Sequence, residues 1–439
     1  MVTSIISGSG SYIPENIVQN SNFIQSSFYG ENGIKLSSNN EDIIEKFFQI
    51  TGIKERRYAV ETMLNSDMAT IAAQRAINEA KIDKEEIDQI IVAHNFGDVP
   101  FDKPVPDMLP SIASKVKHQL KINNPSCVAF DVVFGCPGWV QAMIQADVFI
   151  KSGYAKKCLV IGSETLSRMA DPFDRDSMIY ADGAGAVVLS RTEDNTKGIL
   201  SSHLFSEGLH AEELTVLAPS IRHWVPEILA ANDENDESYF PYMNGTFVFK
   251  HAVVRFSEAI MAGLEKNNLQ VSDINMLIPH QANLRISQFI QKKFRLEDDQ
   301  VYNNIMKYGN TTAASVVIAL TEAWEKGKIK SGDVVVLQRK LRNTRLFSLP
   351  ALGVLTLSLP FSGWWLVHQA GLPLGQTWLL ASSMLFALLV LFGLLLAGRL
   401  RAWQALEATP ASGMLLKLSV AYALLIAVLL LVIMGLMGA

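Results

Sequence analysis

The hydrophobic pattern of residues 1–195 alternates between two periods. Continuous apolar runs predict buried strands, and apolar residues three and four apart predict helices between them. Gly8-Ser9-Gly10 is interpreted as a turn that ends the first strand, and Gly52 as the residue that ends the first helix. The predicted strands are Val2–Ser7, Ile87–His94, Val128–Val133, Lys157–Gly162 and Ala184–Ser190, and the predicted helices are Asn40–Thr51, Asp67–Lys81 and Pro137–Ser152.

The same alternation recurs in residues 196–338. Strands that alternate with helices are typical of layered α/β architectures. Because this part repeats the strand–helix–strand units of the first part, we predict a duplicated α/β fold with halves 1–195 and 196–338. Its predicted helices are Thr246–Asn267, Asn283–Phe294 and Thr312–Lys326, and its predicted strands are Ile274–Pro279 and Val334–Leu337.

Residues 339–439 follow a different pattern, with three long runs that carry no charged side chain. These runs are Leu346–Val367, Trp378–Gly398 and Leu418–Met437. Each approaches the roughly 20 residues that cross the hydrocarbon of a bilayer, so we predict an all-α tail with three transmembrane spans within 346–437. The alternative of buried soluble helices is disfavoured by the basic residues that flank the runs.

The basic flanks also predict an orientation. Four basic residues precede the first run, and Arg399 and Arg401 follow the second. Because basic residues favour the cytoplasmic side, we expect a cytoplasmic body, an anchor in the inner or plasma membrane and a C-terminus outside. Three cysteines without metal-ligand spacing, and an N-terminus without a secretory signal, agree with a reducing cytoplasm.

Charge divides the chain at the same place as hydropathy. Residues 339–439 contain seven Lys/Arg and one Glu, a net charge of +6. Because the whole chain has a net charge of −5, residues 1–338 carry −11. An acidic body of this kind disfavours nucleic acid as a partner.

Cys136 follows a predicted strand and precedes a predicted helix. Pro137 suits the first position of that helix, and the partial positive charge at a helix N-terminus favours the thiolate form of a nearby cysteine. We therefore predict that Cys136 is a nucleophile able to accept an acyl group from a thioester. Cys127 and Cys158 lie in strand-like runs and are interpreted as buried structural residues.

His280 and Asn310 are candidates for a pair of hydrogen-bond donors. His280 follows a predicted strand in Pro279-His-Gln-Ala-Asn283, and Asn310 lies in the turn Tyr308-Gly-Asn-Thr311. Two donors directed at one thioester oxygen stabilise an enolate as it forms, either by loss of carbon dioxide from a malonyl-type thioester or by deprotonation. Taken alone, a histidine after a strand is more often a structural residue, and Gly-Asn-Thr is more often an ordinary turn.

Together these segments resemble a known family, the β-ketoacyl-[acyl carrier protein] synthases III of the thiolase superfamily. The resemblance covers about residues 1–337. It implies a five-layer αβαβα fold, a homodimer and condensation of acyl thioesters on a cysteine, with no permanently bound cofactor and no metal. It rests on Asp131–Gly138, His280–Ile286 and Gly309–Ser315, and further on Thr51–Arg57, Tyr180–Gly185 and Val248–Lys250.

The resemblance also implies roles for single residues. Cys136 would carry the acyl group, and His280 with Asn310 would polarise the second substrate. Lys250 and Arg285 match positions that contact the phosphopantetheine arm of acyl carrier protein. Lys46 and Ile50 stand where coenzyme A-binding members have Trp and Arg, which favours an acyl-carrier thioester over coenzyme A as donor.

The chain departs from the family pattern after Leu337. The family continues with a glycine-rich turn and a last strand, and one N–H of that turn contributes to an oxyanion hole. Here Gln338-Arg-Lys-Leu-Arg342 leads into the apolar tail instead. The abrupt shift favours a fusion of two unrelated coding segments, so the alternative to an active enzyme is a catalytically impaired, membrane-anchored or chimeric protein that binds acyl carriers.

Overall fold

The computed structural model describes residues 2–30, 33–102, 105–194, 196–203, 210, 213–219 and 239–337. The chain divides into two units at Arg342/Asn343, and all described residues belong to the first. No helix among the described residues is both long enough and apolar enough to cross a bilayer. The three predicted spans, and with them the predicted tail 339–439, lie outside the described residues.

The N-terminal half contains seven strands and four α-helices in the ranges that the structure describes. In chain order they are β1 Thr3–Tyr12, β2 Asn16–Gln19, α1 Asn40–Thr51, β3 Glu55–Tyr58, α2 Asn65–Ala80, β4 Gln89–His94, α3 Ile112–Gln119, β5 Val128–Val133, α4 Gly138–Lys151, β6 Lys157–Thr165 and β7 Asp182–Thr192.

The later part contains four described strands and four described α-helices. They are β8 Leu214–Pro219, β9 Tyr239–Met243, α5 Gly245–Lys266, β10 Met276–Ile278, α6 Leu284–Phe294, α7 Ile305–Tyr308, α8 Ser315–Glu325 and β11 Val335–Leu337. A 3₁₀ turn, Thr312–Ala314, leads directly into α8. All predicted helices and strands of both halves are therefore present, with ends shifted by a few residues.

A five-stranded sheet with the order β1-β7-β6-β4-β5 forms the centre of the N-terminal half. Strands β4, β5 and β6 are parallel, whereas β7 runs antiparallel to both β6 and β1. One face packs against α2 and α3, and the other packs against α4 and α8. Because both faces are covered, strand β4 is buried along its whole length.

A second, smaller sheet pairs β10 with β11 in parallel. Met276 and Ile278 of β10 join the apolar cluster that contains α4 and α8. Leu277, which points the opposite way in an extended strand, joins the cluster of α5 and α6. In packing order the described elements therefore run α2/α3, large sheet, α4/α8, small sheet and α5/α6.

The prediction of a turn at Gly8-Ser-Gly10 is wrong. Strand β1 continues through these residues to Tyr12 and pairs with β7, with a register shift between Ile6 and Gly8. A Cβ built on Gly8 would lie 2.4 Å from the Ala76 carbonyl oxygen, and one on Gly10 would lie 2.5 Å from that of Ala72. These glycines allow α2 to approach the strand closely and do not reverse the chain.

Two helix starts also differ from the prediction. Pro137 is the N-cap of α4 and not its first helical residue. The predicted helix Thr312–Lys326 begins as a 3₁₀ turn and becomes α-helical at Ser315. The pattern did not predict β2, β3 and α7, which have four residues each and therefore too little periodicity to identify an element. It also did not predict the longer elements α3, β8 and β9.

Candidate active site

Cys136 lies in a tight turn between β5 and α4. The Gly138 N–H donates a hydrogen bond to the Gly135 carbonyl oxygen at 2.8 Å, which places Cys136 and Pro137 at the centre of the turn. The side chain of Cys136 is half-buried, and it stands two residues before the first residue of a 14-residue helix. A thiol in this position lies close to the positive end of the helix dipole, as the sequence predicts.

The other two cysteines are buried. Burial raises the pKa of the Cys158 thiol to about 12 and also raises the pKa of Cys127. Both thiols are therefore held in the neutral, unreactive form at neutral pH. Their structural interpretation agrees with this environment.

Asn310 is fixed by its backbone and by its side chain. Its N–H donates to the Ile179 carbonyl oxygen at 2.9 Å, and its own carbonyl oxygen accepts from the Ala181 N–H at 3.1 Å. The Thr312 N–H donates to the side-chain oxygen Oδ1 at 2.9 Å. An amide whose oxygen is already engaged in this way presents its NH₂ group to the other side, so Asn310 is oriented as a donor.

His280 lies just after β10 and contacts the start of α8. Its Nδ1 is 2.6 Å from the Ser315 hydroxyl oxygen. The following residue, Gln281, is buried and closes the turn, because its side-chain oxygen accepts from the N–H groups of Asn304 and Ile305 at 3.0 and 3.2 Å. The ring of His280 is thus held by its neighbours in one orientation.

Asn95, which directly follows β4, lies between the turn that contains Cys136 and the turn that contains Asn310 and Thr312. A Cβ built on Gly135 would lie 3.3 Å from Asn95 Oδ1. On its other side Asn95 donates through Nδ2 to the Thr312 hydroxyl at 3.0 Å, and its N–H donates to Glu164 at 2.6 Å. Burial raises the pKa of the Glu164 carboxyl well above its usual range, so the neutral acid is favoured there.

Tyr180 gives a second link between the two turns. It pairs with Asn310 in an isolated β-bridge. Burial raises the pKa of its phenol, and the nearby charges of Asp176 and Cys136 raise it further. The segments of Cys136, Asn310 and, through Ser315, His280 therefore meet at one end of the large sheet.

The 3₁₀ turn Thr312–Ala314 lies tightly against this sheet. A Cβ built on Gly162 of β6 would lie only 2.4 Å from the Ala313 carbonyl oxygen, so no larger residue fits at that position. Ala313 and Ala314 are buried. This close packing fixes the positions of Asn310 and Ser315, which flank the 3₁₀ turn, relative to the large sheet.

Lys250 and Arg285, the predicted carrier contacts, lie on different helices. Lys250 is exposed on α5. Arg285 is half-buried on α6, where its Nε donates to the Gln49 carbonyl oxygen at 2.8 Å. Lys46 and Ile50, the positions that depart from the coenzyme A pattern, are exposed on α1, and Ile50 is 52% exposed.

Four residues near the site had no role in the sequence prediction: Asn95, Glu164, Thr312 and Ser315. Thr312 and Ser315 belong to a motif that the sequence analysis used, but a motif does not reveal which side chains touch. Asn95 and Glu164 follow or end strands, which is where polar groups gather at the edge of a parallel sheet.

Comparison with protein families gives three matches. Residues 130–208 match "3-Oxoacyl-[acyl-carrier-protein (ACP)] synthase III", and residues 264–338 match its C-terminal family. Residues 312–439 match "Predicted integral membrane protein (DUF2269)". The last two matches overlap over residues 312–338, so the membrane-protein match begins at the 3₁₀ turn that precedes α8.

Curated relatives and solved structures agree with the synthase matches. β-Ketoacyl-[acyl-carrier-protein] synthase III of Caldanaerobacter subterraneus is 39% identical over 332 residues, which cover 75% of this chain and 92% of the relative. The protein of the same name from Clostridioides difficile is 40% identical over 336 residues, covering 76% of this chain and 93% of the relative.

Among solved structures, 3-oxoacyl-[acyl-carrier-protein] synthase III of Aquifex aeolicus superposes with a TM-score of 0.63 at 36% identity, over 76% of this chain and 94% of that one. The synthase III of Thermus thermophilus gives the same TM-score at 33% identity and the same coverage of both chains. The fold is therefore a thiolase-like α/β fold. The identity to these relatives over most of their length shows that the chain belongs to the 3-oxoacyl-[acyl-carrier-protein] synthase III family.

Proposed function

We propose that this chain condenses an acyl group carried on Cys136 with a carrier-bound malonyl-type thioester, and that His280 and Asn310 promote the condensation. The observation that carries this proposal is the segment from Asn310 to Ser315. It holds the Asn310 amide through the Thr312 N–H and the His280 ring through the Ser315 hydroxyl. One rigid segment thus orients two hydrogen-bond donors near α4, the helix that follows the turn of Cys136.

In the first half-reaction the Cys136 thiolate attacks the carbonyl carbon of an acyl thioester. A bond forms between Sγ and that carbon, and the tetrahedral intermediate expels the carrier thiolate, which takes up a proton. The N-terminus of α4 favours the thiolate before the attack. Because one thioester replaces another, the step has little thermodynamic cost.

In the second half-reaction a malonyl-type thioester loses carbon dioxide. The electrons of the broken carbon–carbon bond move into the thioester and place negative charge on its carbonyl oxygen, where the donors His280 and Asn310 stabilise it. The resulting enolate attacks the acyl carbon on Cys136, a new carbon–carbon bond forms and the cysteine leaves again as thiolate. This sequence balances without a redox partner, a metal or a bound cofactor.

The second substrate is proposed to arrive on acyl carrier protein. Exposed Lys250 can pair with a phosphate or an acidic surface, and Arg285 retains donors beyond those bonded to Gln49 and Gln288. Lys46 and Ile50 favour carrier thioesters over coenzyme A as acyl donors.

Replacing Lys250 with Ala should raise the KM for the carrier thioester without changing kcat, and an unchanged KM would contradict this assignment.

A homodimer is proposed through the edge of the large sheet. Among the described residues β5 has a partner strand on one side only, and its end residues Val128 and Val133 are 47% and 68% exposed. Met108 and Leu109, in the segment before α3, are 87% and 84% exposed. An unpaired apolar strand edge is a template for a second copy, so a mass of one protomer in analytical ultracentrifugation would contradict this proposal.

For the fold as a whole we propose the duplicated five-layer αβαβα arrangement, with the last strand or strands missing after Leu337. The match of residues 312–439 to a predicted integral membrane protein supports the proposed membrane anchor within 346–437. The proposed cytoplasmic location of the body rests on the basic residues that flank the apolar runs. Recovery of the full-length protein in the supernatant of a carbonate wash would contradict the anchor.

The membrane-protein match also supports the alternative function. A chain that loses the glycine-rich turn loses one oxyanion donor, which typically contributes about 2.7–4 kcal/mol to transition-state stabilisation. Such a chain could bind acyl carriers at the membrane and catalyse poorly. The three predictions below separate this alternative from the enzyme.

The first prediction concerns the nucleophile. Cys136→Ser should abolish formation of the acyl-enzyme, because a serine hydroxyl is not ionised at neutral pH and lacks a base placed to deprotonate it. Mass spectrometry of the intact protein after incubation with an acyl thioester measures the adduct, and Cys127→Ser is the matched control. An adduct on Cys127 or Cys158, with Cys136 unmodified, would refute the assignment.

The second prediction concerns the two donors. His280→Ala and Asn310→Ala should still acylate Cys136 but lose condensation by roughly 10²–10³-fold each, since each removes one donor to the developing oxyanion. Rapid-quench measurement of the two half-reactions separates these effects. If both variants condense at the parent rate, the donors lie elsewhere.

The third prediction concerns the end of the body. Replacing residues 338–439 with the strand, glycine-rich turn and strand that end a synthase III relative should restore the missing N–H and strand pairing. We expect the rate of acylation to increase at least about tenfold, because one oxyanion-hole donor typically raises the rate roughly 10²–10³-fold. The parent should be measured in detergent under identical conditions. Equal rates would mean that the natural ending supplies its own donor.

A further inference from the structure

Ser315 is the first residue of α8, and its hydroxyl lies between two groups of the His280 turn. The side chain is buried, with 2% of its surface exposed. Its Oγ is 2.6 Å from His280 Nδ1, and it accepts a hydrogen bond from the Gln281 N–H at 3.4 Å. In the described part of the chain these are its two hydrogen-bond partners.

A hydroxyl has one proton to donate, and here there is one acceptor for it. The Gln281 N–H can only donate, so it occupies a lone pair of Oγ. The proton of Ser315 therefore points to His280 Nδ1. In the opposite arrangement, Nδ1–H would donate to Oγ, and the buried hydroxyl proton would have no acceptor among the described residues, which is unfavourable.

We propose that Ser315 is a positioning residue that holds neutral His280 in the tautomer with its proton on Nε2. This inference rests on the proposed function, since it assigns the device that makes His280 a donor. With Nδ1 accepting from Ser315, the single ring proton resides on Nε2. Asn310 is oriented by the same logic, because the Thr312 N–H occupies its oxygen and leaves its NH₂ group to donate.

The tautomer matters only for the second half-reaction. When the thioester oxygen gains negative charge, an Nε2–H stabilises it, whereas an Nε2 lone pair would repel it. Acylation of Cys136 involves a different carbonyl group, so Ser315 should affect condensation and leave acylation unchanged. A residue that merely supported the fold would affect both.

Ser315→Ala in the full-length protein tests the proposal. We expect acylation of Cys136 within about twofold of the parent, a loss of about tenfold or more in the kcat of condensation, and little change in the KM for the carrier thioester. Ser287→Ala is the matched control, because Ser287 is a buried serine on α6 whose hydroxyl makes no hydrogen bond within the described residues. That control should leave both half-reactions unchanged.

The tautomer is measured directly with protein labelled with ¹⁵N-histidine. Long-range proton–nitrogen correlations of His280, assigned by its loss in His280→Ala, should show a protonated Nε2 in the parent and an increased share of protonated Nδ1 in Ser315→Ala. Protonated Nδ1 in the parent would overturn the inference whether or not the variant folds. So would condensation by Ser315→Ala at the parent rate.

Different results would contradict the proposed function of His280 and the proposed role of Ser315. If His280→Ala condenses normally, the proposed function of His280 is wrong and the role of Ser315 falls with it. If His280→Ala loses condensation while Ser315→Ala keeps both its rate and its Nε2–H signal, only the role of Ser315 is wrong.

Discussion

The hydrogen bonds made by the segment Asn310–Ser315 are the interactions on which the rest of the site depends. An amide and an imidazole each have a donor side and an acceptor side, and stabilisation of an oxyanion needs the donor side of both. The Thr312 N–H at 2.9 Å and the Ser315 hydroxyl at 2.6 Å occupy the acceptor atoms of Asn310 and His280. Without these two bonds the same residues could equally present lone pairs to the substrate.

The position of that segment is set by packing of the 3₁₀ turn against the large sheet. Gly162 allows the Ala313 carbonyl oxygen to approach β6, and the backbone of Asn310 bonds on both sides to Ile179 and Ala181. Strand β6 pairs with β4, and β4 pairs with β5, which leads to Cys136. Paired strands of one sheet therefore connect the segment Asn310–Ser315 with Cys136.

The sequence predicted the order of elements because their signals are local, and for the same reason it singled out Cys136, His280 and Asn310 as candidates. An apolar run before Cys136, and short polar turns around His280 and Asn310, are visible in single windows. The prediction failed at Gly8 and Gly10, since a glycine that admits a neighbouring helix has the same local signature as a glycine in a turn. It gave no role to Ser315, 35 residues from its partner His280, because a contact across two elements leaves no periodic pattern.

The most direct test of this account is a crystal structure of the acylated protein with a malonyl thioester analogue that cannot lose carbon dioxide. The distances that matter run from the thioester carbonyl oxygen of the analogue to His280 Nε2 and to Asn310 Nδ2. We expect both distances to lie within hydrogen-bonding range, about 2.7–3.1 Å. A carbonyl oxygen that contacts neither nitrogen, or that faces Asn310 Oδ1, would contradict this expectation.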